Sequence, residues 1–342
     1  MGSKMPSCRL HIFADATPQM GTGHIMRCLA LAQAAQDCGL EVQMLSRISV
    51  EWVAERLAQV GIPLRRFPGL PPAAEDIAAL LERLCDAQAR VGDWVVTDGY
   101  HFTPACQRAI MAAGYRLLVI DDYNHLPEYH CDILLNQNIG AEKLHYRGNI
   151  GRQLLGIDYV LLRREFIHAK AAAATRAWLS QPRNILVSMG GGNFITDLER
   201  LAPMFSLREL AGRTLRVIKG AMDADRIHAV LADTPASVEL LERVDDMAGL
   251  LLQTDLCVTA GGSTCWELCC MGVPFLTLKL AENQREIVNG LAELGIAEHY
   301  SLDRFRTLLT SPAAYRECTN ARGATVASAG GPYTISLMCN TE

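Results

Sequence analysis

Short apolar runs alternate with amphipathic helical stretches along most of this 342-residue chain. Such alternation is typical of a parallel sheet that helices cover on both faces. In the first half, strands are predicted at 9–14, 41–46, 64–67, 93–97, 116–120 and 132–135. Helices are predicted between them at 24–38, 50–60, 73–89 and 103–113.

The same alternation restarts in the second half with an apolar run at 184–189. Further strands are predicted at 214–218, 236–240, 255–259 and 274–277. The helices predicted between and beside them are 195–207, 224–232, 246–252, 263–271 and 282–294.

The length of the chain fits two domains of typical size. The segment 169–182 has no clear strand, and we expect it to connect them. The predicted fold class is α/β, with two Rossmann-like, doubly wound domains at 1–168 and 183–342 facing each other across a cleft. The last helix is expected to pack back on the first domain.

Composition narrows the function classes. The net charge is −5 and no Lys/Arg cluster is present, which argues against nucleic acid as a partner. No apolar stretch reaches the roughly 18 residues of a membrane helix, and no signal pattern opens the chain, so we expect a cytoplasmic protein that does not insert into membranes. We also expect it to be a monomer. The 12 cysteines form no paired CxxC motifs, and helically spaced Cys265, Cys269 and Cys270 favour core positions over metal ligands.

The motif Gly21-Thr22-Gly23-His24 lies between the first predicted strand and the first predicted helix. The unpaired N–H groups at a helix start favour anions, so an imidazole there is expected to be neutral near pH 7. Neutral imidazole can take a proton from water, which suits His24 to general-base catalysis. The glycines allow close approach of a ligand to the backbone. The alternative is that His24 only begins a helix beside a turn.

A second glycine motif, Gly261-Gly262-Ser263-Thr264, ends a predicted strand and opens a helix. Backbone amides and the two hydroxyls there can form a phosphate site without a metal, and Glu267 can accept hydrogen bonds from both ribose hydroxyls. The alternative is a capping box, because Thr264-x-x-Glu267 has the spacing in which the carboxylate bonds only the helix start.

Three further turns follow predicted strands. The turn Gly190-Gly191-Gly192-Asn193 can add amides to the same anion site. Asn283 and Gln284 can hydrogen-bond a sugar, or Asn283 or a neighbour can cap a helix. Tyr100 follows Asp98-Gly99 and can face the cleft, or it can be a packed loop residue.

Two common cofactor sites do not fit the sequence. A P-loop needs Gly-Lys-Ser/Thr, which is missing. A dinucleotide fingerprint needs a third glycine where Met26 stands, and the second predicted strand ends in Ser46-Arg47 without the ribose-binding acid. We therefore expect no cofactor.

Taken together, these motifs resemble the UDP-2,4-diacetamido-2,4,6-trideoxy-β-L-altropyranose hydrolases of pseudaminic acid biosynthesis, which are GT-B proteins related to MurG-type glycosyltransferases. The resemblance covers most of the chain. It is carried by Ala14-Asp15-Ala16, Gly21-Thr22-Gly23-His24-Ile25-Met26-Arg27-Cys28-Leu29, Asp98-Gly99-Tyr100, Ile120-Asp121-Asp122, 155–166, Gly261-Gly262-Ser263-Thr264 with Glu267, and Ala281-Glu282-Asn283-Gln284.

The resemblance implies metal-independent hydrolysis of a UDP-sugar, in which water attacks the anomeric carbon with inversion and releases UDP and the free sugar. The free sugar would enter pseudaminic acid biosynthesis, a pathway that serves flagellin glycosylation. It implies that His24 is the general base or orients the water, and that Tyr100, Asn283 and Asp15 are further catalytic residues. Substrate-binding residues are expected at Gly21, Gly23, Arg27, Asp98, Gly190, Gly191, Gly261, Gly262, Ser263, Thr264, Glu267 and Gln284. Phe13 stands where the family usually has Arg.

Two other functions are compatible with a UDP site. A GT-B glycosyltransferase would pass the sugar to an acceptor hydroxyl instead of water. A sensor would bind the UDP-sugar without turnover, but no motif favours it, and a fold alone does not assign a function.

Overall fold

The computed structural model describes residues 9–320, 334–336 and 338. Contacts among them divide the chain into two compact units. The first unit contains 9–17, 24–164, 334–336 and 338, and the second contains 18–23 and 165–320. Within the described residues, no helix is long and apolar enough to cross a membrane.

The first unit is built on a seven-stranded parallel sheet. Its strands are β1 (Arg9–Ala14), β2 (Glu41–Ser46), β3 (Leu64–Arg66), β4 (Trp94–Asp98), β5 (Arg116–Ile120), β6 (Tyr129–Asn136) and β7 (Gly148–Leu155). The first five are connected by helices α1 (Gly23–Asp37), α2 (Glu51–Gln59), α3 (Ile77–Asp86) and α4 (Pro104–Ala112). The strand order β3-β2-β1-β4-β5-β6-β7 reverses between β1 and β4, as in Rossmann folds.

The strands β1, β4 and β5 are buried along nearly their whole length because both faces of the sheet are covered there. In β4, Trp94 and Val96 pack in the core on the α1 side, whereas Val95 packs in the core on the α3 and α4 side. The α1-side core also contains Ile335 and Met338. Trp94 Nε1 donates a hydrogen bond to the Met338 carbonyl at 3.2 Å, so residues near the C-terminus complete the first unit.

The second unit is built on a six-stranded parallel sheet. Its strands are β8 (Asn184–Ser188), β9 (Thr214–Ile218), β10 (Ser237–Leu241), β11 (Leu256–Ala260), β12 (Phe275–Leu278) and β13 (Glu298–His299). The order β10-β9-β8-β11-β12-β13 repeats the arrangement of the first six strands of the first unit. The predicted pair of doubly wound, Rossmann-like domains is therefore confirmed.

Nine helices follow β7 among the described elements. They are α5 (Arg164–Ala174), α6 (Ile195–Glu199), α7 (Ala202–Phe205), α8 (Ala224–Leu231), α9 (Met247–Leu252), α10 (Thr264–Cys270), α11 (Arg285–Glu293), α12 (Leu302–Thr310) and α13 (Pro312–Asn320). Helix α5 includes the start of the segment 169–182.

Some element predictions were wrong. The helix predicted at 195–207 is two helices, because Pro203 lies in the first turn of α7 and cannot continue a helix from the preceding turn. Strand β7 was missed because most of its residues are exposed and polar, and β13 was missed because it has only two residues. By contrast, β1, β2, β5 and β9 match their predicted bounds.

Candidate active site

Three carboxylates meet at one edge of the first sheet. β1 and β4 are neighbours with Ala14 opposite Asp98, so the two strands end at the same level. Asp121 and Asp122 directly follow β5, the next strand of the sheet. Ligands of doubly wound folds bind at this edge, where the strand order reverses. The topology therefore places acidic groups where a ligand is expected.

One face of α1 packs on Asp98. His24, Arg27 and Cys28 are three and four residues apart, so they share a helix face. His24 Nδ1 lies 2.6 Å from Asp98 Oδ1, Arg27 Nε donates to Oδ2 at 2.6 Å, Arg27 Nη2 donates to Oδ1 at 2.7 Å and Cys28 Sγ donates to Oδ2 at 3.3 Å. Asp98 is fully enclosed by these donors.

The ionised form of Asp98 is strongly favoured. Burial alone would raise the pKa of this carboxyl, but the charges of Arg27 and His24 and their hydrogen bonds outweigh it and hold the pKa well below its usual range. Burial disfavours the charge of Arg27, but Asp122 and Asp98 outweigh this effect and raise the pKa of the guanidinium. Asp98 is therefore ionised near neutral pH and can only accept hydrogen bonds.

Arg27 also binds Asp122. Its Nη1 donates to Asp122 Oδ1 at 2.5 Å and its Nη2 donates to Oδ2 at 3.2 Å. Asp122 also accepts hydrogen bonds from the Tyr100 hydroxyl at 2.8 Å and from Asn138 Nδ2 at 3.2 Å. Burial would raise the pKa of Asp122, but Arg27 lowers it. One buried guanidinium thus links the carboxylate that holds His24 to the carboxylate that holds Tyr100.

Tyr100 is surrounded by rings. Its ring lies edge to face with His24 at 5.2 Å between centroids, with His125 at 5.0 Å and with Tyr123 at 5.5 Å. The side chain is half-buried, and its hydroxyl is directed to Asp122. The sequence left two interpretations of Tyr100 open, a packed loop residue and a residue that faces a ligand. The structure is compatible with both at once.

The contact of His24 with Asp98 indicates which ring nitrogen carries the hydrogen. Ionised Asp98 can only accept, so Nδ1 donates across the 2.6 Å contact and the neutral ring keeps its lone pair on Nε2. The His24 side chain is 11% exposed. This tautomer leaves an acceptor available for a water hydrogen, as a general base requires.

Asp15 belongs to a different cluster. Its Oδ1 accepts the Arg47 backbone N–H at 2.6 Å, and its Oδ2 lies 3.3 Å from Arg47 Nη1 and 3.4 Å from His101 Nε2. Arg47 also pairs with buried Glu75. Asp15 is 3% exposed, and its hydrogen bonds join the ends of β1 and β2.

In the second unit, the glycine turn 190–192 lies against the segment 18–23. Asn193 N donates to the Pro18 carbonyl at 3.2 Å. A Cβ on Gly191 would overlap Thr22 Oγ1, and one on Gly21 would lie 3.4 Å from Gly192 N. Gly23 lies beside the other motif at van der Waals distance, because its Cβ would lie 3.9 Å from Ser263 Oγ. The three predicted glycine motifs therefore lie next to one another, and the segments 18–23 and 190–193 are joined by a backbone hydrogen bond.

The motif 261–264 does not form the capping box. α10 begins at Thr264, its N-cap is Ser263, and the Ser263 side chain makes no capping hydrogen bond. A Thr264-x-x-Glu267 box would need Thr264 at the N-cap. Because Thr264 lies inside the helix and not at its N-cap, the capping-box alternative does not account for the motif. Ser263, Thr264 and Glu267 are all half-buried.

Asn283 and Gln284, which follow β12, differ in their surroundings. Gln284 Oε1 accepts the Leu280 N–H at 2.9 Å, which closes the turn between them. Gln284 is also the N-cap of α11 but gives no side-chain cap. Asn283 is half-buried and is not the N-cap, so the capping alternative does not describe it.

Several residues of the first unit contact the site although no sequence pattern predicts a role for them there. Asp122 and Cys28 lie in motifs that carry the resemblance but have no predicted role, and Asn138 lies in none of these motifs. An acidic pair directly after a central strand was the available signal for Asp122. The contact between Asn138 and Asp122 spans 16 residues, and no local pattern predicts it.

No protein-family model matches the chain. A spore coat polysaccharide biosynthesis protein, SpsG of Bacillus subtilis, is 24% identical over 84% of this chain and 81% of its own length. A UDP-2,4-diacetamido-2,4,6-trideoxy-β-L-altropyranose hydrolase of Campylobacter jejuni is 21% identical over 84% of this chain and 97% of its own length. An uncharacterized protein of Methanocaldococcus jannaschii is 24% identical over 81% of this chain, and the match spans 57% of that protein.

Solved structures are similar over nearly the whole chain. MurG of Acinetobacter baumannii has a TM-score of 0.62 at 16% identity, covering 96% of this chain and 99% of that chain. MnaA of S. aureus, solved with UDP, has a TM-score of 0.64 at 14% identity, covering 97% of this chain and 95% of that chain. Together with the two parallel-sheet units, these similarities fit the GT-B fold.

Proposed function

We propose that this protein is a UDP-sugar-processing enzyme, and specifically that it hydrolyses a UDP-linked 2,4-diacetamido-2,4,6-trideoxy sugar without a metal, releasing UDP and the free sugar. The observation that carries the proposal is the pairing of His24 Nδ1 with buried Asp98 at 2.6 Å. This pairing supports the tautomer of His24 that has its hydrogen on Nδ1 and its lone pair on Nε2, beside the edge of the sheet where ligands bind. The sequence similarity to the Campylobacter hydrolase supports the same reaction.

In the proposed step, His24 Nε2 takes a proton from water while the water oxygen attacks the anomeric carbon. The C–O bond to the diphosphate breaks, its electron pair leaves with UDP, and the sugar configuration inverts. His24 becomes an imidazolium, whose charge Asp98 stabilises. Because Arg27 keeps Asp98 ionised, that stabilisation is in place before the reaction begins.

The charge of the first unit supports cleavage at carbon. Arg27 pairs with two buried carboxylates, Asp98 and Asp122, so this group of three charged side chains carries more negative than positive charge. This excess of negative charge favours the positive charge that develops at an anomeric carbon during hydrolysis. The same charge disfavours a diphosphate nearby. We therefore assign the sugar and water to this unit.

We assign UDP to the glycine motifs of the second unit. Gly190, Gly191, Gly261 and Gly262 allow backbone amides to approach phosphate oxygens closely. The hydroxyls of Ser263 and Thr264 add donors, and Glu267 is the proposed acceptor for the ribose hydroxyls. Asn283 is proposed to contact the sugar.

Burial changes the proposed roles of three residues. Asp98, Arg27 and Asp15 are 1%, 7% and 3% exposed, and their polar groups are used within the protein. We propose that Asp98 and Arg27 position His24 and Tyr100 and do not bind substrate themselves. We propose that Asp15 orders the loops after β1 and β2.

Hydrolysis in H₂¹⁸O with EDTA present tests the proposal. Label in the free sugar, with equimolar UDP, is the expected result. Label in the phosphate would contradict attack at carbon, and loss of turnover on adding EDTA would contradict metal independence. A panel of UDP-linked 2,4-diacetamido sugars followed by NMR identifies the sugar and the anomer released.

Transfer to an acceptor is the second candidate, favoured by the structural similarity to MurG. A transferase would leave the UDP-sugar nearly intact in water and consume it when an acceptor is added. Turnover of the donor alone at the full rate would exclude this candidate.

A further inference from the structure

A second imidazole-carboxylate pair stands beside the first. His125 Nδ1 lies 2.6 Å from Asp121 Oδ1, the same distance that joins His24 to Asp98. Both carboxylates are 1% exposed, and both lie at the ligand-binding edge of the sheet, at the end of β4 and just after β5. The proposed reaction uses only the pair that contains His24.

Tyr100 lies between the two pairs. Its ring centroid is 5.2 Å from that of His24 and 5.0 Å from that of His125, with interplanar angles of 85° and 74°. Edge-to-face contacts of this kind are favourable and directional. The hydroxyl of Tyr100 is held by Asp122, so His125 supplies a contact that limits movement of the ring.

His125 is itself held firmly. Asp121 accepts three hydrogen bonds besides that of His125, from the backbone N–H of Asn124 at 2.6 Å and from the hydroxyls of Tyr129 and Tyr146 at 2.8 Å each. Burial, together with the charge of Asp121, raises the pKa of both phenols, so they remain donors. The orientation of the imidazole is thereby fixed from one side.

The two ring nitrogens of His125 argue against a role in packing alone. Nε2 is buried and has no hydrogen-bond partner among the described residues. Burying an unsatisfied polar atom is unfavourable, and phenylalanine would fill the same space without it. The bond between Nδ1 and Asp121 is what an imidazole provides here and phenylalanine does not.

We propose that His125 is a positioning residue of the active site, which holds Tyr100 on the side opposite His24 and is itself oriented by Asp121. The inference rests on the proposed hydrolytic function and on the catalytic role that the resemblance implies for Tyr100. Like Arg27, His125 would act through another residue and not on the reacting atoms.

A double-mutant cycle tests the coupling. His125→Ala is expected to lower kcat at least tenfold in the wild-type background, with KM changed by less than about threefold, because Tyr100 is misplaced and the UDP site is intact. In a Tyr100→Phe background, the same change should lower kcat by less than about threefold. Equal losses in both backgrounds would overturn the proposal.

Two variants control for fold and location. His125→Phe retains a ring and is expected to recover part of kcat, which also covers the case in which His125→Ala does not fold. His130 lies in the same segment but contacts Arg108 and Glu128 at the surface, so His130→Ala should match wild type. A loss of kcat in His130→Ala as large as that in His125→Ala would contradict the proposal.

A readout without substrate separates this inference from the proposed reaction. In protein labelled with 3-fluorotyrosine, the ¹⁹F signal of Tyr100, assigned with Tyr100→Phe, should shift in His125→Ala and not in His130→Ala. An unchanged Tyr100 signal in His125→Ala would overturn the positioning role. A shifted signal in a protein that does not hydrolyse UDP-sugars would contradict only the proposed function.

Discussion

His24 and Tyr100 meet edge to face, with ring centroids 5.2 Å apart and ring planes at 85°. They are anchored to different carboxylates, His24 to Asp98 and Tyr100 to Asp122, and Arg27 bridges the two. Arg27 therefore sets the distance between His24 and Tyr100, the two side chains proposed to act on the substrate, although Arg27 itself is not proposed to contact the substrate.

His24→Ala and His24→Asn should lower kcat at least about 100-fold, because the base that accepts the water proton is lost. The Kd for UDP, measured by calorimetry, should stay within about twofold, since UDP is assigned to the second unit. His228→Ala removes an exposed histidine of α8 and serves as the control. An unchanged rate in His24→Ala would remove His24 from the chemistry.

Arg27→Met should destabilise the protein by about 3–5 kcal/mol, because two buried carboxylates lose their shared cation. Urea unfolding measures this free energy. Arg27→Lys should be intermediate, since an ammonium cannot hold both carboxylates with a planar fork.

Arg66→Met is the matched control for that change. Arg66 pairs with Glu51 at 2.8 Å, and both side chains are exposed, at 42% and 66%. Loss of such a pair costs about 1 kcal/mol or less. Similar losses of unfolding free energy in Arg27→Met and Arg66→Met would show that the buried bridge of Arg27 contributes little to stability.

Stability should fall in acid, and Asp122 should contribute to this fall. Burial would raise the pKa of this carboxyl, but Arg27 holds it below its usual value, so the unfolded chain binds the proton more tightly. The contribution to stability is present at neutral pH and is lost as the pH falls below about 4.

Unfolding free energies in urea between about pH 6 and pH 3 test this sign. Asp122→Asn should be less stable at neutral pH and should have a shallower decline toward acid than wild type. Asp233→Asn, at an exposed position, should follow the wild-type curve. A decline in Asp122→Asn as steep as in wild type would contradict the assignment.

Gly220→Ala should weaken UDP binding about tenfold or more, a loss of about 1.4 kcal/mol. Gly220 has a φ of +57°, and a Cβ there would lie 2.7 Å from the Gly190 carbonyl oxygen, so the turn 190–192 would have to shift. Gly212 has a φ of +75° but nothing within 4 Å of a Cβ. Gly212→Ala therefore controls for backbone strain alone, and equal effects of the two variants on the Kd for UDP would refute the role of this turn.

The sequence predicted the sheets well where strands are buried. β1 and β5 match their predicted bounds because continuous apolar runs mark strands covered on both faces. β7 carries no such signal, since an exposed edge strand needs no apolar residues. The predicted helix at 195–207 failed at Pro203, whose effect on the helix could have been anticipated from the sequence.

The candidate site was predictable in part. The helix position of His24 followed from the glycine motif, and the spacing of His24, Arg27 and Cys28 would have placed them on one face. Their partners could not be predicted, because Arg27 and Asp122 are 95 residues apart. Spacing along the chain does not say which carboxylate a cation will meet.

The contact between Trp94 and Met338 also has a consequence for synthesis. The first unit begins near the N-terminus, yet its core includes Ile335 and Met338. While the ribosome is still translating residue 330, the sheet of the second unit can already form, but the first unit lacks part of its core. The domain made first should therefore be the last to become stable, and truncation before residue 335 should lower the stability of the half that contains His24.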